Sequence, residues 1–207
     1  MFKIWKPIAV AGVALVLAAA AGCSNTPTYP PASAQAGPYD WHYQVGPGDS
    51  VNVFVWRNPE VSGTFPVRPD GKMTMNLVED LQASGKTPTQ LARDIEKALS
   101  KYIQEPIVTV IVAGGIGPFD QQIRVIGEAA KPQALNYREK MSLVDLMIQV
   151  GGLTDFAAGN KAYILRAVDG KQERIGVRLE DLVKAGDISA NVDMRPGDVL
   201  VVPESLF

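Results

Sequence analysis

Ser84-Gly85-Lys86-Thr87 has the residue types of a phosphate-binding loop, in which backbone N–H groups cradle phosphate and the lysine reaches the outer oxygens. The complete motif requires a glycine five residues before Gly85, where this chain has Asp80, and a carboxylate there repels phosphate. Gly115 to Asp120 fails the dinucleotide pattern in the same way, with Pro118 inside it and Asp120 where the third glycine belongs. Glu79-Asp80 and Glu180-Asp181 are adjacent acids whose side chains diverge, so neither pair flanks a glycosidic bond, although carboxylates distant in sequence can converge in space. A serine triad would have to use His42, next to a flexible-looking segment and better read as a rim residue. Trp41, Tyr43, Trp56 and Tyr137 have the rings to stack on sugars, and equally the bulk to anchor a core or an interface. One histidine and one cysteine exclude a His-rich metal site and any internal disulfide. The expectation is a chain with no catalytic residue, no metal and no cofactor.

The single cysteine stands in an informative place. Lys3 and Lys6 precede the apolar run Ile8 to Leu17, too short to span a membrane, which takes about 20 apolar residues. Ala18 to Gly22 follow, all small, and then Cys23. Residues 1–22 therefore read as a secretory signal, with cleavage between Gly22 and Cys23. The stretch resembles a bacterial lipobox, with Ala20 where Leu is usual, and the resemblance implies acylation of Cys23. Several acyl chains at about 0.8 kcal/mol per buried CH₂ make a firm anchor. Ser24 in place of Asp, by the same resemblance to Gram-negative lipoproteins, implies sorting to the outer membrane.

Overall, 46% of the 207 residues are hydrophobic and 20% charged, which excludes intrinsic disorder, and a net charge of −2 gives no basic surface for nucleic acid. Two lysines and no acid leave with the signal, so the charge becomes −4. Residues 23–40 read as a lipidated tether: Pro27, Pro30, Pro31 and Pro38 lie among small and polar residues with no apolar periodicity. In a polyproline-like state it would reach about 50 Å.

Two folded parts follow, 41–115 and 120–207. In the first, Val51, Val53 and Val55 alternate as in a strand. Gly63 to Val67 runs into the turn Arg68-Pro69-Asp70-Gly71, which predicts a hairpin into Met73–Met75. Thr87-Pro88-Thr89-Gln90 opens a helix whose face is Leu91, Ile95, Ala98, Leu99 and Tyr102. Ile107 to Val112 reads as a buried strand. In the second part a strand at Ile123–Gly127 precedes a helix capped by Ser142, with the stripe Leu143, Leu146, Met147 and Val150 and a stop at Gly151-Gly152. A hairpin across Asp169-Gly170, a short helix from Leu179 to Gly186 and a last strand Val199–Val202 complete an α+β chain. Pro47-Gly48-Asp49 and Pro196-Gly197-Asp198 each introduce a valine-rich strand, a repeated turn device rather than a chemical one.

The start Tyr43-x-Val45-x-x-Gly48-Asp49 resembles a LysM glycan-binding module, but the strand at Val51–Val55 occupies the place of that module's helix. Trp41 to Val112 resembles instead the N-terminal domain of bacterial outer-membrane polysaccharide export lipoproteins. Tyr43, Gly46, Gly48, Asp49, Pro69, Asp70, Gly71, Pro88 and Leu91 sit at the positions of that family's pattern. Residues 122–203 resemble a soluble-ligand-binding β-grasp (SLBB) domain through Val125-Ile126-Gly127-Glu128, Lys131-Pro132, Leu143 to Leu153 and Arg195-Pro196-Gly197-Asp198. Gln133 departs from that pattern, which has Gly after the proline. The likeness is greatest to the short export lipoproteins of exosortase-type loci.

The resemblance implies a periplasm-facing, outer-membrane-anchored component of an exopolysaccharide export channel. It implies a homo-oligomeric ring that takes the polysaccharide chain from an inner-membrane co-polymerase. Longer family members end in a pore-forming amphipathic helix, whereas only Pro203 to Phe207 follow the last strand here, so a separate outer-membrane β-barrel protein is expected to complete the passage. A monomeric glycan-binding lipoprotein that tethers wall or capsule polymer is the alternative, and an enzyme of carbohydrate metabolism a third.

Overall fold

A computed structural model of the chain describes residues 41–168 and 170–205. The signal, Gly22, Cys23, the tether and Asp169 lie outside the described residues. Among the described residues, ten strands and three α-helices build two separate cores in an α+β arrangement.

The first core rests on β1 (Ser50–Val55), which pairs antiparallel with β2 (Gly63–Pro66) on one side and β5 (Val108–Gly114) on the other. The two-residue side-chain period sends Val51, Val53 and Val55 inward, where they are buried with Val108. Helix α1 (Pro88–Leu99) covers this face through Leu91, Ala92, Ile95 and Leu99. It starts where Thr87 caps it: the threonine hydroxyl accepts from Gln90 N–H while Gln90 Oε1 accepts from Thr87 N–H.

Three expectations are corrected here. The turn at Pro69–Gly71 forms, closed by Arg68 N–H to Lys72 O at 2.8 Å, but β2 pairs with β1 and not with the strand after the turn. That strand, β3 (Lys72–Met75), pairs forward with β4 (Val78–Gln82), because Leu77 adopts a positive φ of 69° and reverses the chain. The run Ile107 to Val112 is covered on one face only: β5 is an edge strand, and Ile107 and Ile111 are 60% and 55% exposed. Its β-branched residues satisfy the pleated backbone as well as the core, so burial of both faces does not follow from them. Tyr102 lies beyond the end of α1 and is exposed.

The second core is a five-stranded sheet in the order β7-β6-β10-β8-β9. Its strands are β6 (Ile123–Gly127), β7 (Ala134–Leu135), β8 (Tyr163–Val168), β9 (Lys171–Gly176) and β10 (Val199–Val202). Strand β10 runs parallel to β6 and antiparallel to β8. Helix α2 (Leu143–Val150) lays Leu143, Leu146, Met147 and Val150 into that core, capped at its start by Ser142 and Asp145 and ended by Gly151 at φ 78°. The short α3 (Leu179–Val183) closes the core with Leu179 and Leu182.

Gly127 joins β6 to β10 at a position only glycine fits. Its φ is +89°, and a Cβ would stand 2.0 Å from the Val202 carbonyl oxygen. Gly127→Ala is expected to lose about 2–3 kcal/mol through left-handed strain and overpacking, read as a lower unfolding midpoint in urea. An unchanged midpoint would contradict this packing.

Candidate functional site

Both Pro-Gly-Asp turns converge on the loop that connects the two cores. Gly48 and Gly197 take φ values of 90° and 83°, and each turn ends in a fully buried aspartate. Each aspartate accepts the N–H three residues earlier: Gly46 to Asp49 at 2.8 Å, Arg195 to Asp198 at 2.7 Å. That local bond pins the turn and aims the rest of the carboxylate at a distant partner.

For Asp49 the partners are the connecting loop and a tyrosine. Asp49 Oδ1 accepts from Ile116 N–H at 2.6 Å and Gly117 N–H at 3.0 Å, while Oδ2 also accepts from the Tyr43 hydroxyl at 2.5 Å. Burial, and then the carboxylate beside it, push the Tyr43 hydroxyl pKa up, so Tyr43 remains a proton donor at any pH a cell meets. Gly46 makes this approach geometrically feasible, since a Cβ there would sit 2.1 Å from the Gly117 carbonyl carbon. For Asp198 the partner is Arg166, which donates Nε–H at 2.9 Å and an η-nitrogen N–H at 2.7 Å as a bidentate pair. The same η nitrogen reaches Asp193 O at 3.0 Å, and both charged side chains are almost wholly buried. The second turn also abuts the connecting loop, because a Cβ on Gly197 would lie 2.7 Å from Asp120 O. The loop is thus held from both sides by one repeated device.

Beside this seam is an open cleft of about 370 Å³ walled by Trp41, Tyr43 and Tyr137 and floored by the connecting loop. Trp41 meets Tyr137 edge-to-face at 5.1 Å and Tyr43 at 6.2 Å, and its indole N–H donates to Gln121 Oε1 at 3.2 Å. Asn136 donates to Gly115 O at 3.0 Å, and Arg138 and Glu139 stand at the rim. Three of the four aromatics singled out in the sequence therefore share one site. Trp56 does not: it is 53% exposed on the outer face of the first sheet, near Phe54.

The remaining candidates are placed elsewhere. Pro69-Asp70-Gly71 packs on the approach to α1, where Gly71 O accepts from Ala83 and Ser84 N–H. Arg68 lies between Asp70 and Asp80 and holds the Asp70 carboxyl below the usual range, followed by the Lys72 N–H. Asp80 is thus spent in a surface ion pair, and so are Lys86 with Asp94, Glu180 with Lys184 and Asp181 with Arg178. His42 is exposed. Among the described residues no group of three or more His, Cys, Asp and Glu side chains is placed to hold a metal. Sequence reasoning missed Arg166, whose signal was available: it shares the inward face of β8 with Ile164, and a charge on a core-facing position requires a partner. It also missed Asn136, Arg138 and Glu139, which carry no periodic signal.

Comparison with known proteins agrees with this two-part construction. The family described as polysaccharide biosynthesis/export protein matches residues 38–113, and the SLBB domain matches residues 121–202. The chain is similar to the EPS I polysaccharide export outer membrane protein EpsA of Ralstonia nicotianae (strain ATCC BAA-1114 / GMI1000), at 25% identity over 187 residues, 78% of this chain and 47% of that protein. It is also similar to the exopolysaccharide production protein ExoF of Rhizobium meliloti (strain 1021), at 25% identity over 179 residues, 79% of this chain and 41% of that protein. The chain spans less than half the length of these relatives.

Proposed function

We propose that the chain, whose residues 38–113 match the polysaccharide biosynthesis/export protein family, is an outer-membrane component of an exopolysaccharide export system. The observation that carries this reading is the order of parts: an export domain followed directly by an SLBB domain, in a chain similar along most of its length to a polysaccharide export outer membrane protein and to an exopolysaccharide production protein. In this reading the protein conducts polymer and does not cleave or build it. Of the acids named in the sequence, Asp80, Glu180 and Asp181 are engaged in surface ion pairs, which supports that division of labour.

Cys23, once cleaved from Gly22 and acylated, anchors the chain in the outer membrane with its folded part in the periplasm. Copies assemble head to tail into a ring that receives the polysaccharide from an inner-membrane co-polymerase. The outer edge of β5 beyond Val108, whose own backbone groups are taken by Arg93 and Glu96, and the apolar outer face made by Phe54, Trp56, Ile107 and Ile111 give such a ring surfaces to bury. Among the described residues no helix is long and apolar enough to cross a membrane.

Two outcomes are expected. Cys23→Ala should abolish metabolic labelling by palmitate and release the protein from the membrane fraction; labelling that persists in the variant would contradict the anchor. Detergent-extracted mature protein should run as a single large oligomer in mass photometry, and a strictly monomeric mass at high concentration would contradict the ring.

A further inference from the structure

The aromatic cleft at the seam has groups that the fold does not use. Asn136 commits its amide N–H to Gly115 O, and its Oδ1 has no partner among the described residues. Arg138 and Glu139, adjacent and exposed, make no ion pair or side-chain hydrogen bond among the described residues. An acceptor, a cationic donor and an anionic acceptor therefore stand uncommitted within one cleft walled by Trp41, Tyr43 and Tyr137. Aromatic carbon of Trp41, Tyr43 and Tyr137 thus borders the same cleft as these polar groups.

That combination selects a chemical class. A phosphate or other compact anion would want several cations, but the rim carries one Arg offset by one Glu. A purely apolar ligand would gain nothing from the three polar groups around the rings. A pyranose matches both demands, with C–H faces that lie on aromatic rings and equatorial hydroxyls that donate and accept around its edge. The volume is at the small end of the range for ligand sites, enough for a short saccharide rather than a long segment.

We propose that this cleft is a saccharide subsite, in which Trp41 and Tyr137 stack on a sugar residue of the exported polymer while Asn136, Arg138 and Glu139 bind its hydroxyls. The proposal rests on the export reading for the identity of the polymer and adds a place where this chain grips it. The cleft lies against the connecting loop, so a bound sugar would touch residues fixed by Asp49 as well as residues of the second core. Weak, repeated contacts of this kind suit transport, because a polymer held firmly at each ring position would not move.

The probe is a set of short oligosaccharides released by partial acid hydrolysis of the exopolysaccharide that the source cells secrete. The protein is the detergent-extracted mature chain carrying Trp56→Phe, which leaves Trp41 as its only tryptophan. Saturable change in Trp41 emission is expected, weakened at least tenfold (about 1.4 kcal/mol) by Arg138→Ala and by Asn136→Ala. Both positions are exposed, and circular dichroism with an unchanged unfolding midpoint separates lost binding from lost folding. Emission that does not respond to oligosaccharide, or responds equally in Arg138→Ala and Asn136→Ala, overturns the subsite, as does binding abolished by Trp56→Phe alone. The export reading is judged apart from this. Cells lacking the protein that still secrete polymer would overturn that reading, whereas loss of secretion in those cells alongside a silent cleft would overturn only the subsite.

Discussion

Asp49→Ala is expected to destabilise the first core by about 3–5 kcal/mol, from the loss of one buried acceptor serving four donors at 1–3 kcal/mol for each one left unpaired, reduced where water enters. The loss should be local in a diagnostic way. The Ile116 and Gly117 amides, which Asp49 Oδ1 holds at 2.6 and 3.0 Å, should become the first to gain hydrogen-exchange rate, ahead of the β1–β5 ladder. Asp49→Asn should fall between wild type and Ala, because an amide retains one acceptor oxygen but presents N–H to N–H on the other side. Unchanged protection of Ile116 and Gly117 in Asp49→Ala would show that the loop is held by packing alone.

Asp198→Ala is expected to cost a similar 3–5 kcal/mol in the second core by a different route. There the penalty is an uncompensated guanidinium: Arg166 is almost fully buried and retains only the Asp193 carbonyl as partner. The double replacement Arg166→Met/Asp198→Leu should recover most of that loss, since removing both charges removes the desolvation cost with the attraction. A double variant no more stable than Asp198→Ala would contradict this assignment of the penalty. The two aspartates thus make separable predictions, one against backbone N–H groups and one against a cation, although their turns have the same sequence.

Local signals were the legible ones. The caps at Thr87–Gln90 and Ser142–Asp145 act within one helical turn, so residue types at fixed spacing determine them. The valine alternation in β1 and the stripe of α2 likewise reach the core through their own periodicity. Pairing was not legible, because a turn such as Pro69–Gly71 reverses the chain without choosing which strand a neighbour joins, and Leu77 at a positive φ carries no warning in its side chain. The seam shows the same division. Pro-Gly-Asp marked a turn at either end, but the Ile116 and Gly117 partners of Asp49 lie 67 and 68 residues away and contribute backbone atoms only, which no residue type announces. Arg166 was the exception, a long-range partner visible as a charge on an inward strand position.

The cleft was half legible. Trp41, Tyr43 and Tyr137 attract notice as aromatics, while their convergence depends on how the connecting loop folds back on Asp49. Asn136, Arg138 and Glu139 lie in an irregular stretch between β7 and α2, where neither helical nor strand period assigns a face.

If the chain acts in export as proposed, it is needed to move exopolysaccharide out of the cell and not to make it. The most direct measurement is polysaccharide in the culture medium and in the cell-retained fraction of a strain lacking the chain, with and without the wild-type sequence restored. Secreted polymer is expected to fall to background and to return on restoration, while activity of the sugar-polymerising machinery in isolated inner membranes is unchanged. Undiminished secretion without the chain, or loss of polymerising activity from those membranes, would contradict the account.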